Sequence, residues 1–263
     1  MRAKHLIFFV FIPVTVVVGF FAIDRLGFVD LSNPLRRGVY ERPSDLPYAE
    51  PYQPPAPAVP PPPAAEEAPS EVAPLPSEVN LAIPFTVQAP FANWDRDHED
   101  FCEEASVLMA ASFVLGKDIP SPEFADARMY ELKEFQLARF GYFESTTAEE
   151  TAMILRDHYG ISAVAVVENP SEETIRRAVA SGKAVIVPAA GRELGNPYFR
   201  QPGPLYHMLV VKGYTKDGRF ITNDPGTKRG ADYLYDPDVL LNAVHDWNGG
   251  AVETGRRAVI IVG

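Results

Sequence analysis

At 263 residues and 46% hydrophobic content, the chain is long enough for one or two globular domains. Its formal net charge of -11 argues against a nucleic-acid binder, which needs a cationic face to displace counterions from phosphates, and disfavours docking on anionic membrane surfaces. The single cysteine, Cys102, excludes an intrachain disulfide and a Cys-rich zinc site, leaving a thiol that is either a small buried hydrophobe or a reactive group.

Residues 6 to 23 form an uncharged apolar run of 18 residues, enough to span a bilayer core of about 30 Å. Arg2 and Lys4 precede it, so the positive end stays cytoplasmic and everything after Asp24 is exported. No small-x-small site closes the run and no cysteine offers lipid attachment, so it reads as a retained signal anchor of a single-pass protein in the cell membrane. Residues 1 to 25 are thus a cytoplasmic tip and anchor. Residues 26 to 79 read as a Pro-rich disordered linker, because 13 of the 37 residues from 43 to 79 are proline. Proline removes amide donors and fixes φ, which favours extended polyproline II with a reach on the order of 100 Å. A plain spacer is the simplest use of it.

Residues 80 to 263 remain as one acidic domain. Helical spacing places Ala105, Leu108, Met109, Ser112 and Leu115 on one face of a helix over 102–115. Ser121-Pro122 caps and opens a second helix to about Arg139. Thr147 opens a third, which glycine stops at Gly160, and Ser171 caps a fourth. Strands are expected at 162–167, 184–189, 207–214, 219–223 and 258–262, with a helical interruption around 239–247. Helices first and an antiparallel sheet after predict an α+β fold.

The chemistry rests on a few positions. Cys102 opens a helix, where free amides and the macrodipole favour a negative sulfur. Of five histidines, His5 lies at the anchor, His158 at a helix end, His245 on a surface helix, and His98 in the polar run Asp95 to Asp100. His207 instead opens the strongest central-strand signal, His207-Met208-Leu209-Val210-Val211, behind a long loop over 191–206 that reads as a lid. The short turn Thr215-Lys216-Asp217-Gly218 makes a hairpin. If Tyr214 pairs with Arg219, Leu209 faces Asp224, and His207 and Asp224 become diagonal neighbours about 7–8 Å apart at Cα. A bulge would select Asn223 instead; Asp224 is preferred. A cysteine, a histidine and an orienting acid form a generalised triad, and Gln88 suits the side-chain donor of an oxyanion hole.

The ordered set Pro84-Phe85-x-x-Gln88, Cys102-x-x-Ala105-Ser106, His207 leading to Gly213-Tyr214, and Asn223-Asp224-Pro225-Gly226 resembles the peptidase C39-like family of papain-like cysteine peptidases. The resemblance implies a bacterial source and a papain-like fold, with N-terminal helices packed on an antiparallel sheet. It further implies a Cys102–His207–Asp224 triad with Gln88 in the oxyanion hole and a peptide or protein substrate. No cofactor or metal is implied. Two departures stand out. Glu103 and Glu104 follow the nucleophile where many relatives carry Cys-Gly, and two carboxylates disfavour a nearby thiolate. Gly182-Lys183-Ala184 is no phosphate loop, so leader processing by a fused exporter is not supported. A membrane-tethered, extracytoplasmic cysteine peptidase is the expected function; an inactive peptide- or partner-binding relative and a transglutaminase-like thiol acyltransferase are the alternatives.

Overall fold

The computed structural model describes residues 43–54 and 74–263. The apolar run of residues 6 to 23 lies outside them, as does much of the Pro-rich stretch. Among the described residues no helix is long and apolar enough to cross a membrane.

Seven strands form one antiparallel sheet in the order β2-β7-β3-β4-β5-β6, with β1 also paired to β4. They are β1 (Val79–Asn80), β2 (Val164–Glu168), β3 (Ala184–Ala190), β4 (Tyr206–Tyr214), β5 (Phe220–Asn223), β6 (Tyr233–Tyr235) and β7 (Ala258–Val262). The helices are α1 (Arg96–Glu99), α2 (Cys102–Val114), α3 (Pro122–Phe140), α4 (Ala148–Asp157), α5 (Glu172–Ala180) and α6 (Pro237–Ala243). The α+β class is the expected one. Strands β3 and β4 are buried along their whole length, which is why they read as continuous apolar runs rather than alternating ones.

Local signals set the helix ends. Ser121 accepts from the Phe124 amide ahead of Pro122, and Gly141 closes α3 in the left-handed conformation at φ 87. Thr147–Glu150 and Ser171–Thr174 make reciprocal caps at α4 and α5. Helix α2 departs from the expected single apolar face: every residue from Cys102 to Phe113 is buried, Glu103 and Glu104 included. It packs against α3, α4, β3, β4 and β7, so no side of it is left to solvent.

Part of the stretch read as linker is bound to the domain. Glu50 bridges Leu81 in parallel, donating its amide to Asn80 O at 2.6 Å and accepting from the Ala82 amide at 2.6 Å. The Tyr52 ring meets Phe113 edge-on at 5.3 Å. Proline blocks sheet ladders locally but does not stop the residues between prolines from pairing.

The β4–β5 hairpin fixes the register that matters for function. Its turn pairs Tyr214 with Phe220, one residue beyond the expected Arg219. A bulge between Val211 and Gly213 then absorbs one residue, and Val210 faces Asn223. Continuing that register by one residue sets Leu209 opposite Asp224, the pairing expected from the sequence. The bulged residue is Lys212, whose Nζ is buried against Asp232 Oδ1 at 2.8 Å.

Candidate active site

His207 sits at the start of β4 with 1% of its surface exposed, held from several sides. The Phe199 ring meets its imidazole edge-on at 5.1 Å. A Cβ at Gly226 would lie 2.7 Å from Phe199 and 2.9 Å from His207 Cε1, and one at Gly191 would lie 3.0 Å from His207 Cβ. A side chain at Gly226 would push the two rings aside, and one at Gly191 would strike Pro204 at 2.7 Å as well.

The Nε2 atom of His207 lies 2.8 Å from Asp224 Oδ1. Asp224 is fully buried and surrounded by donors: the Gly226 amide at 3.0 Å on the same oxygen, and Tyr235 Oη at 2.7 Å and Asn196 Nδ2 at 3.0 Å on the other. Burial alone would raise its pKa, but the imidazole and these donors outweigh it and hold the carboxyl below its ordinary value. Asp224 is therefore ionised and Nε2 carries the proton. That leaves Nδ1, which makes no hydrogen bond within the described residues, as the basic nitrogen. Asn223, the other acid-side candidate, is occupied elsewhere: its amide donates to Ile83 O at 3.0 Å and Pro84 O at 3.3 Å.

Cys102 stands at the N-terminus of α2 with 4% exposure. The backbone amide of Met208, the neighbour of His207 on β4, favours a thiolate at Cys102. Everything else opposes one: burial first, then the Glu103 charge and hydrogen bond, push the thiol well above its ordinary value. Cys102 Sγ lies 2.9 Å from Glu103 Oε2, its hydrogen-bond partner in place of His207.

Gln88 is brought to this region from both sides. Its backbone amide donates to Pro225 O at 3.0 Å, next to Asp224, and its side-chain amide donates to His98 O at 2.8 Å and Glu99 O at 3.1 Å, just ahead of Cys102. Both amide hydrogens of Gln88 donate to α1 in this structure. Helix α1 is itself bolted down. His98, expected in a solvated loop, is buried with Nδ1 2.7 Å from Asp95 and Nε2 2.8 Å from Asp126. Burial works against its charged form, but the two carboxylates prevail and raise its pKa.

Sequence reasoning missed Asn196 and Tyr235. Both act on Asp224 from distant segments, with no motif to mark them. Asn196 also shows that the loop over 191–205 is built into the site at its base: Leu194, Asn196 and Phe199 are buried, while Arg200 at the tip is exposed and reaches Glu99 of α1 at 3.5 Å.

The domain is α+β, with a buried carboxylate orienting an imidazole at the start of β4 and a thiol at the N-terminus of α2. The chain belongs to the Peptidase_C39 like family, whose model matches residues 80–248. No curated protein matches the sequence. Among solved structures, a candidate C39-like peptidase from Bacillus anthracis is 14% identical over 71% of this chain and 98% of its own, with a TM-score of 0.45. Interpain A, a cysteine protease of Prevotella intermedia, is 16% identical over 53% and 55% of the two chains, with a TM-score of 0.32. A stem bromelain precursor is 12% identical over 71% and 70%, with a TM-score of 0.34. These likenesses are distant, and the family assignment rests on the sequence match.

Proposed function

We propose that the protein is a papain-like cysteine peptidase that hydrolyses peptide bonds outside the cytoplasm while anchored to the cell membrane. The observation that carries the reading is the Asp224–His207 pair, which fixes the proton on Nε2 and leaves Nδ1 free to act as a base. Cys102 is the nucleophile: Nδ1 takes the thiol proton, sulfur attacks the scissile carbonyl, and the imidazolium returns the proton to the leaving amine. Asp224 orients the ring and stabilises its charged form. Gln88 serves the oxyanion by transferring one N–H from Glu99 O, the longer of its two bonds, to the substrate. The anchor reading is supported by the apolar run over 6–23 behind Arg2 and Lys4, and the Pro-rich stretch spaces the domain from the bilayer.

A second reading, a peptide-binding relative without hydrolysis, is favoured by the burial of Cys102 and its bond to Glu103. One experiment separates them. Cells expressing the full chain should show hydrolysis of a peptide library that sediments with membranes and disappears in Cys102→Ala. Equal hydrolysis by Cys102→Ala rejects the nucleophile, activity released to the soluble fraction rejects the anchor, and no hydrolysis by the wild type leaves the binding reading.

A further inference from the structure

The carboxyl group nearest the sulfur belongs to Glu103, not to the pair that orients His207. Its two oxygens have separate tasks. Oε1 accepts the Thr146 amide at 3.1 Å, and Oε2 meets Cys102 Sγ at 2.9 Å. Glu103 is 1% exposed, so whatever proton it holds is decided by its neighbours rather than by bulk water.

Those neighbours are mostly acidic or neutral. On α2, Glu104 is fully buried, with Oε1 bound by Gln136 of α3 at 2.6 Å and Oε2 without a partner. Asp100 lies just before the helix. From β4 comes Tyr206, whose single O–H is shared between Thr146 O at 2.9 Å and Asp246 Oδ1 at 3.3 Å. Asp246 is in turn held by Arg256 at 2.7 Å, the nearest fixed cation of this network. Thr146 and Thr151, which join hydroxyls at 3.1 Å, add no charge. Among the described residues, no cationic side chain pairs with Glu103.

Given Cys102 as the nucleophile, we propose that Glu103 is its positioning residue, accepting S–H when ionised and donating O–H to the sulfur when neutral, so that only the neutral form readies the thiol for attack. In the neutral form the thiol proton passes to His207 Nδ1, and the sulfur is left accepting the Glu103 O–H. In the ionised form the same oxygen takes the S–H as acceptor, and a second negative charge beside it is suppressed. Burial pushes the Glu103 carboxyl up to about 8, against the thiol, its own amide and Thr146, so the neutral form prevails below that pH and is lost above it. The resting site is therefore competent near neutrality and closes toward alkaline pH.

Glu103→Gln tests this because the carboxamide has one sensible orientation: its oxygen keeps the Thr146 amide and its nitrogen donates to the sulfur. Cys102 is the chain's sole cysteine, so alkylation by iodoacetamide reports on it alone. In Glu103→Gln the alkylation rate should follow the wild type below about pH 8 and hold its value above that pH, where the wild type is suppressed, and the alkaline fall in peptide hydrolysis should vanish. Glu104→Gln, one residue on, should leave the thiol profile within a few tenths of a unit. An unchanged profile in Glu103→Gln overturns the proposal. Should that variant not fold, the reverse coupling decides: ¹³C titration of Glu103 should move upward in Cys102→Ala, which removes the S–H donor, and an unmoved titration overturns the proposal equally. These readouts follow the thiol and carboxyl, not turnover. A shifted profile without any hydrolysis would sink the peptidase reading and leave this coupling standing.

Discussion

Asp224→Ala is expected to reduce kcat/KM for peptide hydrolysis by about 10⁴-fold and to lower folding stability by about 3–5 kcal/mol. The two losses have different origins. Asp224 accepts four donors in a fully buried site, from His207, Gly226, Tyr235 and Asn196. Truncation leaves the Tyr235 hydroxyl and the Asn196 amide without that acceptor, and the stability cost follows from their desolvation. The rate loss follows from the imidazole, which loses both its fixed tautomer and the charge that stabilises its protonated form. Asp224→Asn separates them. Its oxygen can keep His207 and Gly226 while Tyr235 turns to accept from the new amide, so most of the stability should return. The negative charge does not, and activity should stay far below wild type. Urea denaturation and steady-state kinetics on the two variants check both arms. Full activity in Asp224→Asn would mean that the imidazolium needs no counter-charge here.

Lys212→Met is expected to destabilise the domain by about 3–5 kcal/mol while leaving every reacting group chemically intact. Lys212 is the residue that the bulge adds to β4, and its ammonium is 2.8 Å from Asp232 with both side chains nearly inaccessible. Removing the cation takes this ion pair from a nearly inaccessible carboxylate, which costs more than the pair itself contributes. Asp232→Asn on top of Lys212→Met should recover at least half of the loss, and asparagine tolerates the positive φ of 52 at that position. Because the bulge sets which residue of the second strand faces Leu209, the single variant should also lower activity beyond its effect on the folded fraction. A midpoint within about 0.5 kcal/mol of wild type, the range of ordinary surface substitutions, would show that the pair is not structural.

The hairpin shows how far the sequence could be read. The expected register used a four-residue turn with Tyr214 opposite Arg219; the real turn is one residue longer and the bulge at Lys212 returns the difference. The pairing of His207 with Asp224 was thus reached although both the turn and the bulge were misjudged, because alternation constrains which face a residue takes. Helix caps at Ser121, Thr147 and Ser171 were legible for a local reason: each satisfies amides within its own first turn. What the sequence hid is tertiary. Asn196 and Tyr235 reach Asp224 from 28 and 11 residues away, and the three residues of β6 are too few to show a period. Glu103 and Glu104 were legible only as two carboxylates beside the nucleophile, since nothing local reveals that α3, α4 and the sheet enclose α2 on every side. For the same reason His98 looked exposed: Asp95 is near in sequence, but Asp126, its second partner, comes from α3.

Treating the full chain with a peptide vinyl sulfone and locating the adduct by mass spectrometry asks most directly whether a base at Nδ1 serves the sulfur. The thiolate adds to the alkene and the imidazolium protonates the neighbouring carbon, so the step needs both groups in place. The account predicts a single adduct at Cys102 in the wild type and at least a hundredfold slower labelling in His207→Ala. Labelling at the same rate in both, or a native Cys102 that stays unmodified while the denatured chain reacts, would contradict it.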